Sequence, residues 1–139
     1  MKKGKLINSE LSYTIAKMGH TDTIAISDSG LPISKEVDRI DLALTKGIPS
    51  FIETLDIVLE ELKIEEITIA EEIEKANPKI YSEIINRINY LENIEGSKIK
   101  INKISHESFK KETKNCVAVI RTGEFTPYAN IILKSSVVF

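Results

Sequence analysis

Apolar positions along this chain recur at two alternating periods, near 3.6 and near 2, and each switch marks an element boundary. Leu11, Ile15 and Met18 share one helical face behind Asn8, a suitable N-cap, and Gly19 is placed to end that helix. The run "TIAIS" (23–27) then reads as a strand, and "VDRIDLAL" (37–44) as a second extended segment. Ser50 and Glu53 form a capping box before "FIETLDIVLEEL" (51–62), where Phe51, Leu55, Val58, Leu59 and Leu62 recur at helical spacing. "EITIA" (66–70) is a short strand. Asn77 caps and Pro78 opens a long helix carrying Ile80, Ile84, Ile85, Ile88 and Leu91 inward. "KIKINKI" (98–104) and "CVAVI" (116–120) are strands flanking a short helix, "HESFKKET" (106–113), and "YANIILKSSVVF" (128–139) is the last extended segment.

Helices and strands that alternate in this way predict a single α/β domain over residues 1–139. Its expected form is a three-layer α/β/α sandwich with a largely parallel or mixed central sheet. No linker or internal repeat divides it. Ligands of such sheets bind in loops beyond the strand ends, where the polar clusters after "TIAIS" and "CVAVI" fall.

Composition narrows the function. At 139 residues, 42% hydrophobic and 29% charged, the chain can bury a core of its own. A net charge of −2 argues against a nucleic-acid surface, and the short basic stretches "MKKGK" and "FKKETK" read as solvated. No apolar run approaches the roughly 20 residues of a membrane span. Met-Lys-Lys leads into polar residues rather than an apolar leader, so a cytoplasmic location is expected. The lone Cys116, inside an apolar run, reads as a small buried hydrophobe.

Histidine is the side chain suited to exchanging protons near neutral pH, and the chain has two, His20 and His106. Both sit at element boundaries among polar residues. Asp28, in "SDSGLP", is either a turn former or a carboxylate that accepts hydrogen bonds from ligand hydroxyls. Asp22 reads as a local partner of the His20 loop. Zinc spacings, phosphate-cradling glycine loops and a G-x-S-x-G elbow are all missing from the sequence, which argues against a zinc site, a nucleotide-phosphate cradle and a serine hydrolase. In "RTGEFTPYANIIL", Tyr128 offers a flat ring and Asn130 an amide. Ring, amide and carboxylate together suit a small polyhydroxylated ligand, whose C–H face needs apolar cover and whose hydroxyls need partners.

The blocks "MKKG", "GHTD", "SDSGLP", "RIDLAL", "GIPSF", "IAEEI", "NP", "HESFK", "AVIRTGE" and "PYANIIL" resemble, in order, the D-ribose pyranase family of the broader ribose/fucose mutarotases. The resemblance covers essentially the whole chain. It implies interconversion of the β-pyranose and β-furanose forms of D-ribose, without a cofactor, by a ring-based homodecamer with sites close to subunit contacts. It implies His20 as the acid/base, and Asp28, His106, Tyr128, Ala129 and Asn130 as sugar-binding positions. His20 is expected beside the strand end that carries Asp28. A mutarotase for another sugar such as L-fucose, a non-catalytic ribose-binding accessory of uptake, and a purely structural ring protein remain the other readings.

Overall fold

A computed structural model describes all residues, Met1 to Phe139. Six strands form one sheet: β1 (Thr23–Ser27), β2 (Asp38–Asp41), β3 (Ile64–Ala70), β4 (Lys100–Ile104), β5 (Ala118–Arg121) and β6 (Ile131–Ser135). Their spatial order is β2-β5-β1-β6-β3-β4. Pairing is parallel throughout except where β6 runs antiparallel between β1 and β3. The sheet is therefore mixed, as expected. Five strands end along one edge, and β6 starts from that same edge.

The helices are α1 (Ser9–Lys17), α2 (Phe51–Glu61), α3 (Ile73–Ala76), α4 (Pro78–Glu95) and α5 (His106–Glu112), with a 3-10 turn at Thr113–Asn115. The caps read from sequence form. Asn8 accepts from the Leu11 N–H, Ser50 and Glu53 complete the capping box, and Asn77 caps α4 ahead of Pro78. Each such cap contributes about 1 kcal/mol. Gly19 does not end α1: the helix stops at Lys17, and Met18 is already extended.

Period-2 alternation splits the sheet's side chains between two cores. Ile24, Ile26, Ala118, Ile120, Ile131 and Leu133 pack against α1, α2 and α4 in the larger core. Ala25, Val119 and Ile132 face the other way, onto Leu31, Val37, Phe109 and Cys116. The three layers are thus of unequal weight. Phe51, Leu55 and Val58 of α2 are fully buried, each adding about 1.5–3 kcal/mol of hydrophobic stabilisation. Cys116 is buried as read, and burial pushes its thiol up to about 11, far from a nucleophile's range. No helix is long and apolar enough to cross a membrane.

The differences from the sequence reading lie at element ends. The segment read as extended over 37–44 is a strand only at Asp38–Asp41, and Leu44 beyond it is exposed. The last strand begins at Ile131, because Tyr128 to Asn130 form a turn. The four-residue α3 carries no side-chain cap to announce it.

Candidate active site

The edge where the parallel strands end collects most of the candidate residues. Strand β1 stops at Ser27, whose carbonyl accepts both the N–H and the hydroxyl of Thr122. Asp28 follows and is locked to Asn130 by a reciprocal pair. The Asp28 N–H donates to Asn130 Oδ1 at 2.9 Å, and Asn130 Nδ2 donates to Asp28 Oδ2 at 2.8 Å. Asp28 Oδ1 also accepts the Gly30 N–H at 2.9 Å, closing an Asx turn. Asp28 therefore shapes the turn, the first of its two readings, and about two of its four carboxylate acceptor sites carry no partner within the chain. Asn130 is fully buried, and its amide is largely occupied in aiming Asp28.

Tyr128 adopts φ 58°, the left-handed region that a tyrosine rarely enters. Its carbonyl accepts the Asn130 N–H at 2.8 Å, a three-residue turn about the buried Ala129. Asn77 holds this segment in place. Besides capping α4, it donates to Thr126 Oγ1 at 2.8 Å and to the Pro127 carbonyl at 2.9 Å. Glu124 folds the preceding turn, accepting from Phe125 N–H, Thr126 N–H and the Thr126 hydroxyl.

The His106 ring meets Tyr128 edge-on, with centroids 5.0 Å apart at 88°, and lies parallel to Phe109 at 6.4 Å. As the first residue of α5, His106 has its N–H held by both carboxylate oxygens of Glu72 at 3.0 Å. Its Nδ1 is shielded from solvent and has no hydrogen-bond partner within the chain. Asp28, His106, Tyr128, Ala129 and Asn130 thus gather at one edge of the sheet.

His20 does not join them. It sits in the turn entering β1, whereas Asp28 leaves β1. At about 3.3 Å per residue, the five strand residues alone separate them by roughly 17 Å. The expectation that His20 lies beside the Asp28 strand end is corrected: a strand acts as a ruler that holds its two flanks apart. The His20 turn is well defined. Asp22 Oδ2 accepts the Gly19 N–H at 2.8 Å, bearing out Asp22 as a local partner, and Thr21 N–H donates to the Ser135 carbonyl at 3.0 Å. Thr21 has φ 72°. Thr21 and Tyr128 are the two non-glycine residues at positive φ, and each adjoins a candidate residue. Backbone strain of this kind clusters at functional sites. His20 Nε2 lies 2.9 Å from Glu65 Oε2.

Glu65, Glu72, Asn77 as a loop anchor, and Glu124 escape a reading by residue type. Glu72 and Glu124 do lie within the blocks "IAEEI" and "AVIRTGE", which is the one signal that marks them. Nowhere do three or more His, Cys, Asp or Glu side chains gather as a metal site would require.

The D-ribose pyranase of Clostridium perfringens is 59% identical over 139 residues, covering 100% of both chains. The structure of Bacillus subtilis RbsD complexed with D-ribose matches with a TM-score of 0.91 at 42% identity, covering 100% of both chains. The fucose mutarotase in complex with L-fucose from Streptococcus pneumoniae matches with a TM-score of 0.78 at 28% identity, again over 100% of both chains. The RbsD / FucU transport protein family profile matches residues 1–138, and the chain belongs to that family.

Proposed function

We propose that this protein is a D-ribose pyranase that opens and recloses the sugar ring by acid/base chemistry, supplying the furanose form for phosphorylation. The observation that carries this reading is the full-length match at 59% identity to a D-ribose pyranase. The higher identity and TM-score to a ribose complex than to a fucose complex favour ribose as the sugar.

Asp28 and His106 bind hydroxyls, Tyr128 covers the C–H face, and the backbone at Ala129 adds a polar contact. Asn130 contributes its remaining amide hydrogen and holds Asp28. The unpartnered Nδ1 of His106 supports a hydroxyl contact there, because a buried polar atom left unpaired costs about 1–3 kcal/mol. His20 is the proton donor. It protonates the ring oxygen O5 as the C1–O5 bond breaks, and the anomeric hydroxyl loses its proton to a water or second group as the aldehyde forms. After rotation, O4 attacks C1 and gives its proton to the imidazole, while the carbonyl oxygen regains one. No cofactor enters these steps.

The roughly 17 Å between His20 and Asp28 supports a site shared between copies, with His20 of one copy completing the Asp28 edge of the next. Such a contact joins two different surfaces. Repeated by rotation, it closes into a ring, and two stacked rings give the homodecamer. Exposed apolar residues flank both edges: Val138 (87%) and Phe139 (100%) near Glu65, and Leu44 (81%) and Phe125 (61%) beyond the strand ends. Covering them would add apolar burial to the contact between copies. We place this assembly, one 1–139 domain per copy, in the cytoplasm.

Exchange NMR on D-ribose tests the activity. Pyranose–furanose exchange is expected to speed up with protein, more for ribose than for L-fucose; an unchanged ribose rate contradicts the reading. Asp28→Asn is expected to weaken ribose binding about tenfold, as loss of a charge-assisted hydrogen bond should. Calorimetry giving the wild-type affinity would remove Asp28 from the site.

A further inference from the structure

Strand β3 departs from regular pairing at one point, and that point is Glu65. Ile64 pairs with Ser135 and Glu66 with Lys134, so two steps along β3 match one step along β6. Glu65 is the extra residue of a β-bulge. Burial tells the same story: Ile64 and Ile67 both face the larger core, although three residues apart they belong on opposite faces of a regular strand. Bulges re-aim side chains and are enriched beside active sites. Here the re-aimed carboxylate meets His20, with Glu65 Oε2 at 2.9 Å from Nε2. Its other oxygen lies 3.8 Å from Lys134 Nζ. The hydrogen bond from His20 is the main cause holding the Glu65 carboxyl below its ordinary range, with Ser136 and Lys134 adding to it.

We propose that Glu65 is the positioning residue of the proton donor. It accepts a hydrogen bond from His20 Nε2–H, and so fixes Nδ1 as the atom that exchanges protons with the sugar. This rests on the reading of His20 as the acid/base. A carboxylate that holds one ring nitrogen sets both the orientation and the tautomer of the imidazole. Imidazolium Nδ1–H gives its proton to O5, and the neutral ring that remains keeps its proton on Nε2, against Glu65. The Nδ1 lone pair is then ready for the proton of O4. One nitrogen serves both half-steps without rotation of the ring. Glu65 touches no sugar atom, so its loss acts on turnover rather than on affinity.

Two variants separate this role from a merely structural one. Glu65→Gln keeps an acceptor for Nε2–H but removes the charge; Glu65→Leu removes both. The readouts on the full assembled protein are the ¹⁵N shifts of the His20 ring nitrogens and ribose exchange rates across sugar concentration. In the wild type, neutral His20 is expected as the Nε2–H tautomer. Glu65→Leu is expected to give a tautomer mixture and a 10- to 100-fold lower kcat, part of the about 10²- to 10⁴-fold that positioned proton transfer supplies, at unchanged KM. Glu65→Gln is expected to retain the tautomer and fall in between. An Nδ1–H tautomer in the wild type, tautomer populations unmoved in Glu65→Leu, or wild-type kcat in that variant would each overturn the proposal. The nitrogen shifts do not depend on the sugar turned over, so they report on Glu65 even if the wild type proves inactive on ribose.

Discussion

Alanine in place of His20 is expected to abolish catalysed ribose exchange while ribose still binds. The side chain is half exposed and stands in a turn whose hydrogen bonds come from backbone and Asp22, so its removal leaves the fold intact. Asp28, His106 and Tyr128 lie at the other edge and keep their own partners. The expected loss is the about 10²- to 10⁴-fold attributable to a positioned acid/base, enough to bring exchange near the rate in water. Exchange NMR on the variant gives the rate, and calorimetry gives the affinity. A variant that exchanges ribose at the wild-type rate would remove His20 from the chemistry.

The largest structural effect is expected at Gly123, between the end of β5 and the Glu124 turn. A Cβ at this position would lie 2.4 Å from the Thr45 carbonyl oxygen, 2.5 Å from that of Ile48 and 2.6 Å from the Ile48 nitrogen. All three are backbone atoms, which cannot swing aside as a side-chain tip can. The approach is already bridged by hydrogen bonds: Gly47 N–H donates to the Gly123 carbonyl, and Gly123 N–H to that of Pro49. Gly123→Ala must push the 45–49 loop outward and disturb Glu124, which reaches both the α2 N-terminus and Thr126 ahead of Tyr128. A cost of about 3 kcal/mol is expected, in the upper range for overpacking. For a chain of this size that lowers the melting temperature by roughly 10 °C at fixed protein concentration, with weakened ribose binding. A melting temperature within about 2 °C of wild type would show that the loop yields without cost.

The elements with strong local signals were legible in the sequence. Asn8, Ser50 and Asn77 announced their helices because a capping side chain is a local device, and the short apolar runs in "TIAIS" and "CVAVI" marked the central strands. The short α3 has no such device, and nothing local in its sequence marks it. Residue types at the candidate site were legible as well. Their arrangement was not, because strand direction decides which flank of β1 faces which neighbour, and eight residues of separation looked like proximity. Glu65 was illegible for a deeper reason. Between two isoleucines, "EE" gives no hint that one carboxylate is an inserted residue, since a bulge exists only in the pairing of β3 with β6.

His20 of one copy and the Asp28 edge of the next are expected to form one shared site. Mixing two inactive proteins, His20→Ala, which lacks the acid, and Asp28→Ala, which loses both the sugar-binding carboxylate and its hold on Asn130, under conditions that exchange subunits tests this most directly. In a ring joined by two different surfaces, random mixing gives roughly one contact in four with both residues intact, so about a quarter of the wild-type exchange rate is expected. If both residues acted from the same chain, every site would carry one lesion, and the mixture would stay as inactive as its parts.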